Sequence, residues 1–185
     1  KVEALRYLHL DKYKKYNQNN RNSATNRIKP IKLLLLGDIV YETTNAMLKL
    51  LESSSNLFKE KYDLTFKPHP AAVINIQDYP KLNLSLTNEN LGKAFHAYQG
   101  VICSIYTSAS VEAAEIGLPV ITVLDNNELN YSALYGKNNC FVKSNSDLTK
   151  SLIRHFHEEN RSENNEEYFW TNTDLPLWGN LLSVS

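Results

Sequence analysis

The segment GVICSIYTSASVEAAEIGLPVITVL, residues 100–124, decides the fold. It opens on a continuous apolar run, GVICSI, of the kind that forms a strand buried on both faces. SASVEAAEIG follows, with helix-forming alanines and glutamates and with Gly117 placed to close the helix. LPVITVL is a second buried-strand run. A strand, a helix and a strand joined this closely make a βαβ unit, with parallel strands and a right-handed crossover.

The same alternation extends in both directions. Upstream, IKLLLL (31–36) is another continuous apolar run, ending at Gly37-Asp38. Thr43 and Thr44 offer an N-cap for a helix carrying Met47, Leu50, Leu51 and Phe58 at helical spacing. YDLTF (62–66) reads as a strand, KLNLSL (81–86) as a short alternating one, and NLGKAFHAY (90–98) as a helix. Downstream, CFV (140–142) suits a strand, and Leu148, Leu152, Ile153 and Phe156 mark an amphipathic helix. The pattern predicts an α/β fold, a Rossmann-like, doubly wound, mainly parallel sheet over residues 31–160. Residues 1–16 have helical composition, and NQNNRNSATNR (17–27) is a linker by composition, so 1–30 form a helix plus an Asn-rich connection. Residues 161–185 hold Tyr168, Phe169, Trp170, Leu175, Leu177, Trp178 and Leu181, too many large apolar groups to leave in water. That tail is expected to pack on this domain or on another, with Trp170 and Trp178 at least partly buried.

Composition narrows the functions. The chain of 185 residues carries 20 Lys+Arg against 20 Asp+Glu, with no formal net charge. A nucleic-acid binder normally shows a basic excess, so no nucleic-acid partner is expected. Cys103 and Cys140 lie in strand-like runs and read as small buried residues, not as a disulfide or a metal site. No apolar run approaches membrane-spanning length and no signal peptide is visible, which leads to the expectation of a cytoplasmic protein, or one peripheral at the inner membrane face.

In an open parallel sheet, ligands bind beyond the carboxyl ends of the strands. The candidates are therefore Gly37-Asp38, then Lys67 to Pro70, then Ser104 to Ser110, then Asp125 to Asn127. In DLTFKPHPAAV (63–73) a strand runs into Lys67-Pro68-His69-Pro70, where two prolines forbid helix and central strand. Such rigidity suits side chains that must meet a ligand, and Lys67 and His69 offer a cation and a hydrogen-bond donor to an anion. The plain alternative is a turn that closes the strand with Lys67 in water. In the second group, Ser104, Thr107, Ser108 and Ser110 precede or open a helix, whose first N–H groups suit a phosphate. Thr107 or Ser108 also suits an N-cap, which accounts for one hydroxyl and not for the others. Glu112, in the first turn, could reach a ribose hydroxyl or simply compensate the helix dipole. Neither GxGxxG nor GxxxxGK[ST] occurs, which argues against a dinucleotide site or a P-loop.

FKPHP followed by SIYTSASVEAAEIGLPVI resembles the nucleotide-binding domain of GT-B glycosyltransferases. More narrowly, the pair resembles the HP and serine motifs of bacterial surface-polysaccharide enzymes such as sialyltransferases and Kdo transferases. IKLLLLGDIVYETTNAMLKLLE and LPLWGNLL are most similar to an O-antigen biosynthesis family, and the likeness spans roughly residues 31–182. The resemblance implies that His69 meets the donor phosphate as the catalytic group. Ser108 and Ser110 would lie beside it. Lys67, Pro70, Ser104, Thr107 and Glu112 would line the nucleotide site, with Gly37 and Asp38 secondary. It implies no required metal or other cofactor, a CMP- or other nucleotide-sugar donor, and a glycan or lipid-linked glycan acceptor. The acidic motif that supplies a general base in sialyltransferases is not recognisable. A GT-B enzyme has two such domains, so this chain, which begins at Lys1, is expected to be the C-terminal half, inactive in transfer without its N-terminal domain. Two other functions fit the same residues: a nucleotide-sugar 2-epimerase, and a non-catalytic domain that retains the fold.

Overall fold

The computed structural model describes residues 30–125, 129–134, 140–157 and 174–183. Its strands are β1 (Ile31–Leu36), β2 (Tyr62–Lys67), β3 (Leu84–Leu86), β4 (Gly100–Cys103), β5 (Val120–Val123) and β6 (Cys140–Val142). Its α-helices are α1 (Tyr41–Ser53), α2 (Leu91–Ala94), α3 (Ala109–Glu115), α4 (Asn145–Phe156) and α5 (Pro176–Leu182). The strands form one six-stranded sheet in the order β3-β2-β1-β4-β5-β6, with every neighbouring pair parallel. This is the doubly wound, Rossmann-like architecture that the alternation of runs predicts.

Strand composition follows from position in the sheet. β1 lies at the centre, so both of its faces are covered. Leu33 and Leu35 join one apolar cluster with Met47, Leu48 and Leu51 of α1 and Leu148 and Leu152 of α4. Leu34 and Leu36 join the other, with Ala94 of α2, Phe95 directly after it, and Val111 and Ala113 of α3. Each of these buried leucines contributes roughly 1.5–3 kcal/mol of apolar transfer. β2 is covered fully on one side only: Tyr62, Leu64 and Phe66 are buried, while Asp63 is exposed and Thr65 half-buried. That difference is why β1 reads as a solid apolar run and β2 as an alternation.

Two glycines are fixed by geometry. Gly117 has φ 84°, and the N–H groups of Gly117 and Leu118 donate to the carbonyls of Ala114 and Ala113, so α3 ends as its sequence suggests. Gly100 begins β4 under the Phe156 ring of α4; a Cβ there would lie 2.4 Å from Phe156 Cζ.

The structure differs from the sequence reading at several points. The strand runs 100–105, 118–124 and 81–86 shorten to β4, β5 and β3, although the flanking Ser104 and Leu124 N–H groups still donate to the Leu36 and Val142 carbonyls. The helix expected over 90–98 is one α-turn followed by a 3-10 turn, Phe95–Ala97. α1 starts at Tyr41, so Thr43 and Thr44 lie inside its first turn and are buried, and the N-cap position is Val40 with no side-chain cap. In α5, Trp178 is partly covered, at 37% exposed, whereas no α5 residue is fully buried and Leu181 and Leu182 are largely exposed. Residues 1–29 and Trp170 lie outside the described residues, so the expectations for the first helix, the linker and that tryptophan do too. No helix among the described residues is long and apolar enough to cross a membrane.

Candidate functional site at the carboxyl edge of the sheet

β2, β1 and β4 are adjacent, and their ends are level: Leu36 pairs with Lys67 on one side and with Cys103 on the other. The chain winds outward from β1 in one direction and from β4 in the other, so the step between them is the topological switch point, where an open parallel sheet forms its crevice. Gly37-Asp38, the Lys67–Pro70 turn and the Ser104–Ser110 turn all leave the sheet at this edge. With strands about 4.8 Å apart, β2 and β4 are roughly 10 Å from each other, a gap that one small ligand lying over the end of β1 can span.

Asp38 holds the edge together. Its side chain is 1% exposed. One carboxylate oxygen accepts the Val40 N–H at 2.7 Å and the other accepts the Tyr106 N–H at 3.2 Å. The Thr43 hydroxyl lies 2.8 and 2.9 Å from the two oxygens. The Asp38 N–H in turn donates to Thr44 Oγ1 at 3.0 Å. The carboxylate thus fixes the N-cap residue Val40 and the Thr43 hydroxyl at the start of α1, while Thr43 and Thr44 stand past the N-cap position, inside the first turn. It also ties the end of β1 to the turn after β4. Asp38, read from sequence as a secondary ligand contact, is a buried frame residue. Gly37 is packed as closely: a Cβ there would meet Thr44 Cγ2 at 3.2 Å and the Phe66 ring at 3.3 Å.

The KPHP turn leaves β2 beside this frame. The Lys67 carbonyl accepts the Gly37 N–H at 3.1 Å, and Lys67, Pro68 and His69 are half-buried, with Pro70 exposed. His69 Nδ1 accepts the Ala71 N–H at 3.1 Å. That nitrogen therefore presents a lone pair, and the ring proton sits on Nε2. With Nδ1 engaged as an acceptor, the donor that this turn offers a ligand is Nε2–H.

In the second turn the hydroxyls separate. Ser104 is 1% exposed, with its N–H 3.2 Å and its hydroxyl 3.4 Å from the Leu36 carbonyl, so it stitches β4 to β1. Ser110 is 2% exposed and its hydroxyl donates to the Thr107 carbonyl at 2.7 Å. Glu112 is 9% exposed, inside the fold and not on a rim. Ser108 occupies the N-cap position, but in helical backbone conformation and without a side-chain cap. Capping fails because the N–H groups of Ser110 and Val111 already donate to the carbonyls of Thr107 and Ser108. The groups placed to meet a ligand on this turn are then Thr107, half-buried, and Ser108, exposed. α3 spans only seven residues, and its dipole adds little to them.

An aromatic feature escaped the sequence reading. Tyr106, after β4, and Tyr131, after β5, are stacked with ring centroids 5.6 Å apart and planes 23° apart. Tyr131 is 58% exposed. Ile39, Tyr41, Val73 and Leu129 are also exposed beyond strand ends. The available signal was Tyr106, in the turn just after β4; Tyr131 lies in a longer loop after β5. The sequence pointed instead to Asp125, which is half-buried, and to Asn126 and Asn127, which lie outside the described residues.

Other chemistry lies elsewhere. Cys103 is wholly buried beside Thr122 Oγ1, and burial pushes its thiol up to about 12. Cys140 Sγ is 2.9 Å from His155 Nε2. Both cysteines are free and buried, as their apolar context suggests. No three His, Cys, Asp or Glu side chains are grouped to hold a metal among the described residues. A cavity of about 380 Å³, lined by Lys32, Asp63, Thr65, Asn83, Ser85 and Tyr98 among others, lies toward the amino ends of β1 and β2, away from the switch point.

Among solved structures, the chain is similar to a glycosyl transferase family 9 protein from Veillonella parvula DSM 2008, with a TM-score of 0.43 and 13% identity. The match covers 84% of this chain and 47% of that one, so the chain spans about half the length of that protein. No family model matches the sequence, and no curated protein does.

Proposed function

We propose that this chain is the donor-nucleotide-binding unit of a glycosyltransferase that uses a nucleotide-activated sugar. The observation that carries the reading is the meeting of two turns, KPHP after β2 and YTS after β4, on either side of the β1 end at the switch point of a parallel sheet. The donor phosphate lies over the end of β1. His69 Nε2–H donates to it from one side, and the Thr107 and Ser108 hydroxyls donate from the other. Lys67 supplies the compensating cation. These groups stabilise negative charge as it builds on the leaving phosphate, which is the principal task of such a site. Asp38 takes no part in binding; a carboxylate would repel the phosphate, and its oxygens are engaged inside the fold.

The donor we favour is a cytidine-nucleotide sugar, the acceptor a glycan or lipid-linked glycan of a surface polysaccharide, and the place of work the cytoplasmic side of the membrane. The general base and acceptor site belong, in this proposal, to a second domain facing the same edge. The test is a calorimetric titration of the 185-residue chain against CMP, CDP, UDP and GDP. Saturable binding, with a cytidine nucleotide tightest, is the expected result. No binding of any of the four overturns the donor-binding reading, and tighter binding of a uridine or guanosine nucleotide overturns the cytidine assignment alone.

A further inference from the structure

We infer that the Tyr106–Tyr131 pair is the platform on which the nucleobase of the donor stacks. This rests on the phosphate reading above and extends it to the other end of the nucleotide. Two phenol rings stacked at 5.6 Å, Tyr106 38% and Tyr131 58% exposed, present an aromatic surface to water. They stand at the switch point itself. The Tyr106 N–H is held by the Asp38 carboxylate at 3.2 Å, and two residues later the chain reaches Ser108, so platform and phosphate donors share one turn. That backbone anchor fixes the Tyr106 ring's starting point before any ligand arrives, and the stack on Tyr106 orients Tyr131. A flat, weakly polar face beside anion-binding donors matches a base joined through ribose to phosphate. Stacking of a base on an aromatic ring is tolerant of sequence, so this surface supplies affinity for any base and leaves the choice among bases to other contacts.

The test compares ligands with and without a base on the intact chain. CMP and ribose 5-phosphate carry the same phosphate on a ribose, and their affinity ratio isolates the base. The wild type is expected to bind CMP about tenfold or more tightly than ribose 5-phosphate. Tyr131→Ala should bring that ratio close to one while leaving ribose 5-phosphate affinity unchanged, and Tyr131→Phe, which keeps the ring, should preserve it. Tyr106→Ala should act like Tyr131→Ala. A wild-type ratio near one, or an unchanged ratio in Tyr131→Ala, overturns the platform and leaves the phosphate site standing. Failure of the wild type to bind either ligand overturns both.

Discussion

Asp38→Asn tests the frame of the site at a single atom. In the native arrangement each carboxylate oxygen accepts one backbone N–H, from Val40 at 2.7 Å and Tyr106 at 3.2 Å. Asparagine has one acceptor oxygen and one NH₂ group of the same shape. Whichever way the amide turns, one backbone N–H keeps its acceptor and the other faces a donor. The expected cost is one charge-assisted hydrogen bond together with a buried donor left unmatched, about 2–3 kcal/mol. Asp38→Ala removes both acceptors and one of the two partners of the Thr43 hydroxyl, which keeps the Val40 carbonyl, and should cost about 3–5 kcal/mol, among the large values for a point mutation. Against a total stability of roughly 5–15 kcal/mol, the asparagine variant remains folded at room temperature. Urea unfolding followed by circular dichroism reads the loss as a lower midpoint with unchanged slope. A loss below about 0.5 kcal/mol for Asp38→Asn would refute the claim that this carboxylate ties β1 to the Tyr106 turn, since an exposed side chain behaves that way.

Three further outcomes follow from particular contacts. Gly100→Ala should lower stability by about 1–3 kcal/mol in the same urea assay, because the new Cβ would lie 2.4 Å from a ring atom of Phe156 that packs in the core; a neutral effect would mean that α4 can slide away from β4. Burial raises Tyr62 from 10.0 to about 12 and Cys103 from 9.0 to about 12. The native state therefore keeps protons that the unfolded chain releases, so this stabilisation is complete below about pH 9 and is lost as pH rises toward 12. The urea midpoint should fall steadily over that range, and a midpoint that holds level would contradict it. His69→Ala should weaken nucleotide binding by about tenfold to a hundredfold, the worth of one hydrogen bond to a charged group. Its melting temperature should fall by only a few degrees, because the bond lost within the fold is the one from the Ala71 N–H; unchanged affinity with a large fall in melting temperature would make the histidine purely structural.

The sheet was legible because burial writes itself into β1, β4 and β5 as almost wholly apolar runs, broken only by Lys32 and Thr122, and because Gly117 announces the end of α3. Level strand ends then brought KPHP and the hydroxyl turn together without further information. What stayed hidden depended on contacts across the sequence. Nothing near Asp38 reveals that it would reach Tyr106, 68 residues away, or that α1 would begin at Tyr41 and leave Thr43 and Thr44 inside its first turn. Ser104 and Ser110 look like Ser108 in sequence, yet a carbonyl within reach inside the fold claims each of their hydroxyls. The Tyr106–Tyr131 stack joins two different loops, and no local pattern predicts which aromatics meet. The same limit applies to His69, whose tautomer is set by the direction of the Ala71 N–H and not by its flanking prolines.

The central claim is that a nucleotide phosphate rests over the end of β1, between the turns that follow β2 and β4. Backbone amide NMR of the isotopically labelled chain during CMP titration tests it most directly, since amides beside a bound phosphate shift regardless of which side chain dominates affinity. The account predicts shifts concentrated at Gly37, Asp38, Lys67, His69, Ala71 and Tyr106 to Ala109, and at Tyr131 where the base stacks, with the amino ends of the strands unchanged. Shifts concentrated instead around Lys32, Asp63 and Ser85, at the opposite end of the sheet, or the absence of any shift at saturating CMP, would contradict it.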